Sequence, residues 1–239
     1  MERWKLEPAT DLGLAPSERM KSLRRESGLI GTGVHLAWWL AVKLYLRLFH
    51  RLRILGREHL PPRPPFVMVA NHSSHLDALV LSAALPARLC NRAFPIAAGD
   101  TFFTSATVSA FAALAMNALP LWRKRTRMEH LETLRARLAG QGCVFILFPE
   151  GTRARDGVMA AFKPGLGSLV AGGAVPVVPC YIDGAFQAFP PQAKLPRPAA
   201  LTVRIGPPLD FAALANDKRA WAEIAAETEA AVRRLQSRS

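Results

Sequence analysis

Three side chains capable of proton transfer, His72, His75 and Asp77, lie close together in the segment VMVANHSSHLD. A carboxylate that accepts the Nδ1–H of an imidazole fixes the tautomer of the ring and leaves Nε2 as a proton acceptor. Such a pair is the general-base half of a catalytic triad that has no nucleophile from the protein. We therefore interpret His72 as a candidate general base and Asp77 as the carboxylate that orients it.

Cooperation between His72 and Asp77 depends on where the following helix begins. Five residues along one continuous helix would rotate the two side chains about 140° apart, so they could not meet. Ser74 is a favourable N-cap, and Asp77 three residues later completes a pattern like a capping box before an apolar run. The sequence therefore predicts a helix over residues 74–85, with His72 in the preceding loop and Asp77 facing back toward it.

Metal binding is a second interpretation of the same segment. His72, His75 and Asp77 together could ligate a metal ion and serve a metal-dependent hydrolase. An H-x-x-H pair in a loop is a weak signal, however, and no other histidine lies in a comparable motif at a predicted strand end. A capped loop with polar side chains and no catalytic role is the third interpretation.

A second segment with reactive side chains, FPEGTRARDG over residues 148–157, also follows an apolar run. Gly151 favours a turn, and Thr152 and Arg153 offer a hydroxyl and a guanidinium fork suited to bidentate phosphate binding. Lys163 adds a positive charge shortly before another predicted helix. A base in one loop and an anion clamp in another indicate proton abstraction from a substrate that carries phosphate.

Alternating strand and helix patterns carry both segments. The run CVFILF is continuously apolar, as expected of a strand that helices cover on both faces. Such alternation indicates an α/β fold with a mostly parallel central sheet flanked by helices, whose functional loops follow the carboxyl ends of the strands. The patterns predict strands at residues 66–70, 92–98, 143–148, 175–182 and 201–205, and helices at 74–85, 127–139 and 211–236.

An amphipathic helix is predicted near the amino terminus, within residues 33–55, where it runs into a strand. Lys43 interrupts its apolar run well short of the ~20 residues that a membrane-spanning helix needs. A wide apolar face beside a basic stripe is typical of a helix that lies in a membrane interface, with packing against the domain as the alternative. Two stripes recur at steps of four residues: Trp39, Lys43, Arg47 and Arg51, and Leu36, Leu40, Leu44 and Leu48.

A second long run, over residues 101–122, carries no charge. Its length would suffice to cross a bilayer, but one crossing here would place the two candidate loops on opposite sides of the membrane. We therefore predict a buried or interface-facing helix followed by a short strand.

The chain has 239 residues and a formal net charge of +13, which favours anionic partners. No nucleic-acid-binding signature accompanies this charge, so we predict no nucleic-acid partner and favour an anionic lipid surface or substrate. A basic surface that only keeps the protein soluble is the simpler alternative.

The three cysteines have no CxxC spacing, which argues against disulfides and cysteine-based zinc sites and fits a reducing compartment.

The two candidate segments together resemble a known family. NHSSHLD resembles the N-H-x-x-x-x-D motif of the glycerolipid acyltransferases, and FPEGTR resembles their F-P-E-G-T-R motif. The later segment VPVVPCYIDG is similar to their third, hydrophobic block. The likeness covers about residues 52–208 and is strongest to the 1-acyl-sn-glycerol-3-phosphate acyltransferases.

This resemblance implies that a fatty acyl group moves from a thioester, acyl-CoA or acyl carrier protein, to the free hydroxyl of a lysophospholipid. His72 would take the proton of the hydroxyl and Asp77 would orient His72, with backbone N–H groups near the helix start around the oxyanion. No metal ion or cofactor is expected beyond the acyl thioester co-substrate. The acceptor would be bound by Arg123, Glu150, Gly151, Thr152, Arg153 and Lys163.

The same considerations predict how the chain is divided into domains and where the protein lies in the cell. We expect residues 1–50 to form a membrane-associating segment and residues 51–239 to form the acyltransferase domain. Membrane lipids are the expected partners, at the cytoplasmic face of a membrane, with peripheral or monotopic attachment.

One block departs from the family, which usually has Gly or Lys, then an aromatic residue, then Arg in a G-x-x-F-x-x-R pattern. The segment NALPLWR keeps Arg123 but has Asn117 and Pro120 at the first two places. Two acceptors therefore stay open: 1-acyl-sn-glycerol 3-phosphate, which would give phosphatidate, and another lysolipid such as lyso-ornithine lipid. A membrane-binding protein without catalytic activity is a further alternative outside the family.

Overall fold

The core of the protein is a seven-stranded sheet flanked by helices, in a computed structural model that describes residues 11, 13–25, 29–99, 105–121 and 128–237. The strands are β1 (Arg53–Leu55), β2 (Phe66–Val69), β3 (Ala93–Ala98), β4 (Leu119–Leu121), β5 (Val144–Leu147), β6 (Val177–Asp183) and β7 (Thr202–Ile205). The helices are α1 (Pro16–Lys21), α2 (Leu29–Phe49), α3 (Asp77–Ala84), α4 (Ala106–Ala110), α5 (Met128–Gly140), α6 (Gly165–Val170), α7 (Ala185–Ala188) and α8 (Lys218–Gln236).

The strand β2 lies at the centre of the sheet, whose order is β1-β7-β6-β2-β5-β3-β4. Every neighbouring pair is parallel except β6 and β7, which are antiparallel. β2 and β5 are buried along their whole length, because hydrophobic clusters cover both faces of the sheet. The predicted α/β fold with a mostly parallel sheet flanked by helices is confirmed.

Side chains of β2 alternate between two hydrophobic clusters, as the geometry of a strand requires. Phe66 and Met68 belong to the cluster that contains Leu46 of α2 and Leu81 of α3. Val67 belongs to the opposite cluster, which α5, α6 and α8 complete. Burial of each such side chain contributes about 1.5–3 kcal/mol, so the strand that leads into the first candidate loop is held from both sides.

The closing helix α8 begins at Lys218, where Asp217 caps it and accepts the N–H of Ala220 at 2.8 Å. The predicted start at residue 211 is wrong. Phe211 is buried in a core cluster, and pairing of Leu209 with Val177 keeps the chain extended just before it. Apart from α3, the other predicted strands and helices of the domain match the structure to within two residues at each described end.

The uncharged run is helix followed by strand over its described part, residues 105–121. α4 continues into a π-helical turn, Phe111–Ala115, and β4 follows. The prediction for residues 101–122 is confirmed there, while residues 101–104 and 122 lie outside the described ranges. Within the described ranges no helix is long and apolar enough to cross a bilayer.

Candidate active site

The predicted contact between His72 and Asp77 is present. His72 Nδ1 lies 2.8 Å from Asp77 Oδ2, and the carboxylate is fully buried while 21% of the His72 side chain is exposed. The same oxygen accepts the backbone N–H groups of Ser73 and Ser74, at 2.7 and 2.8 Å. Because a carboxylate only accepts hydrogen bonds, His72 Nδ1 carries the proton and Nε2 is the basic nitrogen.

The imidazole of His72 is held by its face as well as by its edge. Its ring stacks on the ring of Phe148, with the centroids 4.3 Å apart and 19° between the planes. Phe148 directly follows β5, so two neighbouring strands position the base. His72 Nε2 has no hydrogen-bond partner among the described residues and is free to accept a proton.

The turn before α3 differs from the predicted capping box. α3 starts at Asp77, and Ser74 Oγ accepts the N–H of Leu76 instead of capping the helix. The same hydroxyl donates to the carbonyl oxygen of Phe189, which also accepts the N–H of His75. Ser74 Oγ is thus engaged with Leu76 and with a distant loop and does not cap α3. The predicted helix start at residue 74 is therefore wrong, although the hydrogen bond from Ser74 N–H to the Asp77 carboxylate does form.

Backbone N–H groups near the helix start were expected to surround the oxyanion. Those of Ser73 and Ser74 donate to Asp77, and that of His75 donates to Phe189. In this conformation these three groups donate within the protein, and the oxyanion contact stays a prediction.

Asn71 fixes the chain at the point where it leaves β2. Its side-chain Nδ2 donates to the carbonyl of Ile182 at 3.0 Å, and its Oδ1 accepts the N–H of Ile182 at 2.8 Å. The buried amide thus extends the pairing of β2 with β6 by one further step. This role of Asn71 is not among the sequence predictions, although a polar residue between a predicted strand and a candidate base was the signal for it.

Glu150 connects the two candidate loops. Its Oε1 accepts the backbone N–H of His72 at 2.6 Å, and its Oε2 accepts that of Ala160 at 2.9 Å. Burial raises the pKa of Glu150, and these two hydrogen bonds oppose the rise. Both oxygens face backbone groups, so Glu150 positions the base, and its role in binding the acceptor stays a prediction.

Arg153 of the second segment lies beside the turn after β2, and Lys163 approaches the same segment at Gly151. Arg153 Nη1 contacts the ring nitrogens of His75, and burial lowers the pKa of Arg153 while Asp77 raises it. Gly151 has φ +76°, and a Cβ there would lie 2.8 Å from Lys163 Nζ. Only glycine lets the lysine ammonium approach the turn this closely. Thr152 is exposed beside them.

Asn117, the residue that departs from the family block, has a structural role. It has φ +52° and is buried, and its Oδ1 accepts from Arg25 Nη2 at 3.2 Å. Its Nδ2 donates to the carbonyl of Ala93 at 3.1 Å, at the amino-terminal end of β3 and far along the strand from the candidate loops. The position therefore does not take part in the acceptor surface. Arg123 lies outside the described residues.

The metal interpretation finds no support in the positions of the candidate ligands. His72 Nδ1 is bonded to Asp77, and the ring of His75 lies against Arg153. Among the residues that the structure describes, no three His, Cys, Asp or Glu side chains converge in a way that could hold a metal ion.

Proteins with similar sequences are known, and most of the domain takes part in the match. A family model described as Acyltransferase matches residues 51–183. The 1-acyl-sn-glycerol-3-phosphate acyltransferase alpha of Mus musculus is 30% identical over 171 residues, which are 70% of this chain and 58% of the relative. The 1-acyl-sn-glycerol-3-phosphate acyltransferase of Saccharomyces cerevisiae is 27% identical over 196 residues, 77% of this chain and 61% of the relative. The chain thus spans about three fifths of the length of these curated relatives.

A solved structure has the same fold. The crystal structure of the 1-acyl-sn-glycerophosphate (LPA) acyltransferase PlsC from Thermotoga maritima matches with a TM-score of 0.63 at 23% identity, covering 86% of this chain and 79% of that chain. The family model in turn runs from β1 to the end of β6 and includes the hydrogen-bonded His72 and Asp77 and the loop after β5. The chain belongs to the acyltransferase family.

Proposed function

We propose that the protein transfers a fatty acyl group from a thioester, acyl-CoA or acyl carrier protein, to the free hydroxyl of 1-acyl-sn-glycerol 3-phosphate, giving phosphatidate. The observation that carries the proposal is the contact of His72 Nδ1 with Asp77, which leaves Nε2 basic beside a loop with Arg153 and Lys163. The names of the curated relatives, which are 1-acyl-sn-glycerol-3-phosphate acyltransferases, support the same acceptor.

In the proposed reaction His72 Nε2 accepts the hydroxyl proton as the acceptor oxygen attacks the thioester carbonyl. Asp77 keeps the ring in the productive tautomer and stabilises the imidazolium that forms. Collapse of the tetrahedral intermediate breaks the carbon–sulfur bond, and the proton returns from His72 to the thiolate. The reaction uses only side chains of the protein, and no metal ion or cofactor enters it.

The acceptor phosphate is placed against the loop that follows β5. Arg153 supplies a planar donor fork, and Lys163 supplies an ammonium close to Gly151. Glu150 ties this loop to the backbone of His72, so the anion clamp and the base move as one unit. An acceptor whose phosphate binds to this loop would then have its free hydroxyl positioned at His72.

Purified protein incubated with labelled acyl-CoA, or with labelled acyl carrier protein, and a panel of lysolipids tests this proposal. We expect label in phosphatidate when the acceptor is 1-acyl-sn-glycerol 3-phosphate. Transfer to lyso-ornithine lipid with none to lysophosphatidate would favour the second acceptor. Chelator-sensitive hydrolysis would favour the metal-dependent hydrolase, and lipid binding without turnover would favour a silent membrane-binding protein.

Membrane attachment through α2 is part of the proposed function, at the cytoplasmic face and of the peripheral or monotopic kind. The side of α2 that faces the domain is well packed: Trp39, Val42 and Leu46 are buried, and Trp39 Nε1 donates to the carbonyl of Ser82 at 2.9 Å. This side of α2 thus packs against the domain. Truncation at residue 50 would expose the core beneath it, so surface substitutions are the better test.

The outer side of α2 is apolar and open. Leu40, Leu44 and Leu48 are 51%, 57% and 72% exposed, although they recur at helical spacing like core residues. An exposed leucine stripe of this kind supports a helix that packs on the domain with one side and enters the lipid interface with the other.

Positive charges adjoin the leucine stripe. Burial lowers the pKa of Lys43, and the nearby Arg57 and Arg47 lower it further. Among the described residues none of these three cations forms an ion pair with a carboxylate. Unpaired cations beside an apolar helix face favour a membrane that carries anionic lipid.

Replacing two leucines of the stripe by glutamate (Leu44→Glu with Leu48→Glu) is expected to weaken binding to anionic vesicles about 100-fold or more, because each inserted leucine contributes about 1.5–3 kcal/mol. The matched control changes two exposed leucines elsewhere, Leu55→Glu with Leu195→Glu, and should bind like the original protein. Vesicle sedimentation measures both. Salt alone should release little protein, and complete release by moderate salt would mean that attachment is purely electrostatic.

A further inference from the structure

The stretch that joins the acceptor-binding loop to α6 has no helix or strand over residues 158–163, yet it is fixed in place. On the side of the candidate site, Ala160 N–H donates to Glu150, and Lys163 N–H donates to the carbonyl of Pro149 at 3.0 Å. These two hydrogen bonds hold only the side of the stretch that faces the site, and a different element holds its outer side.

That element is α8, which lies far along the chain. Glu229 Oε2 accepts the N–H of Phe162 at 2.8 Å, and Glu229 Oε1 accepts from Arg233 Nε at 2.8 Å. Arg233 Nη2 in turn donates to the carbonyl of Met159 at 3.2 Å. The ion pair therefore clamps the stretch at two backbone points, and the buried side chains of Met159 and Phe162 anchor it in the core between them.

The charge on Glu229 is retained despite its partial burial. Burial acts to raise the pKa of Glu229, but the hydrogen bonds from Phe162 and Arg233 outweigh burial and the pKa is lowered. An ionised carboxylate makes a stronger hydrogen bond to a backbone N–H than a neutral group does.

We propose that Glu229 and Arg233 are positioning residues for acyl transfer, which hold residues 159–163, and with them the ammonium of Lys163, against the acceptor-binding loop. This inference rests on the proposed function. It assigns to the carboxyl-terminal helix a part in setting the affinity for the acceptor phosphate.

Kinetics with two acceptors test the proposal. Glu229→Ala is expected to raise the apparent KM for lysophosphatidate by up to about tenfold, the effect of one charge-assisted hydrogen bond, with kcat changed less than about twofold. Glu229→Gln keeps an oxygen for Phe162 and should recover part of the loss. Glu223→Ala removes the same charge from an exposed position of α8 and should leave both constants unchanged. An unchanged KM in Glu229→Ala, or an equal rise for a phosphate-free lysolipid, would overturn the proposal.

Amide hydrogen exchange of the full-length protein separates this proposal from the proposed function. Peptides that cover residues 158–164 should exchange faster in Glu229→Ala than in the original protein, with Glu229→Gln between them and Glu223→Ala unchanged. Equal protection in all four proteins would overturn the positioning role. If the original protein transferred no acyl group to lysophosphatidate, the proposed function would fail while the exchange result still decided what holds the loop.

Discussion

His72→Ala is expected to remove acyl transfer almost completely, by a factor of about 10²–10⁴ in kcat, since that is the contribution of a positioned general base. The fold should survive, because the imidazole lies in a loop and is partly exposed. Asp77 would keep its hydrogen bonds from Ser73 and Ser74, so the buried carboxylate would not be left without donors. A steady-state assay with saturating acceptor and acyl-CoA measures the effect.

Asp77→Asn should be nearly as severe as His72→Ala. An amide oxygen in the place of Oδ2 can still accept the N–H groups of Ser73 and Ser74, but the amide no longer offers a negative charge to stabilise the imidazolium of His72. His130 of α5 takes no part in the proposed reaction, so His130→Ala is the matched control and should change kcat less than about twofold. Near-normal turnover of His72→Ala with saturating substrates would show that the proposed base is not the base.

The part of the site that the sequence predicts well depends on short separations. His72 and Asp77 are five positions apart, and placing His72 in a loop and Asp77 in the first turn of the next helix is enough to predict their contact. The buried strands β2 and β5 are predicted equally well, because a short, continuous apolar run between turn residues is typical of a strand buried on both faces.

Long-range hydrogen bonds account for what the sequence does not reveal. The start of α3 depends on Ser74 meeting the carbonyl of Phe189, more than a hundred residues away. Glu150 accepts the backbone N–H of His72, which lies 78 residues earlier in the chain. Local patterns cannot indicate such partners, because the sheet order that brings them together is set by the packing of whole elements.

The amino-terminal helix illustrates a different limit. Its sequence leaves two alternatives, a membrane interface or packing on the domain. Neither of the two stripes at steps of four indicates by itself which alternative holds. In the structure Trp39 and Leu46 are buried against the domain, while Leu44 and Leu48 remain exposed. The hydrophobic pattern therefore identified the helix, but only the fold distinguishes the side that forms the core from the side that is open to a membrane.

Acceptor recognition is where Arg153 should have its largest effect. Arg153→Ala is expected to raise the apparent KM for lysophosphatidate about 10-fold to 100-fold, because hydrogen bonds to charged groups contribute about 1.5–3 kcal/mol. The apparent KM for a phosphate-free lysolipid should change much less, since that acceptor offers no anion to the guanidinium. The ratio of the two KM values, measured in the same detergent, is therefore the informative quantity.

Two further variants test the role of Arg153: one changes its geometry, and the other is a control at a neighbouring position. Arg153→Lys keeps the positive charge but loses the planar fork, so it should recover only part of the affinity for lysophosphatidate. Arg155→Ala removes an exposed basic side chain two positions along the same loop and should leave both KM values nearly unchanged. If Arg153→Ala weakened both acceptors equally, the contact of Arg153 with His75 would be its main role, holding the loop against the turn before α3. A large effect confined to the phosphate-bearing acceptor would instead identify Arg153 as the phosphate clamp, because a structural contact cannot distinguish between two acceptors that share the same loop.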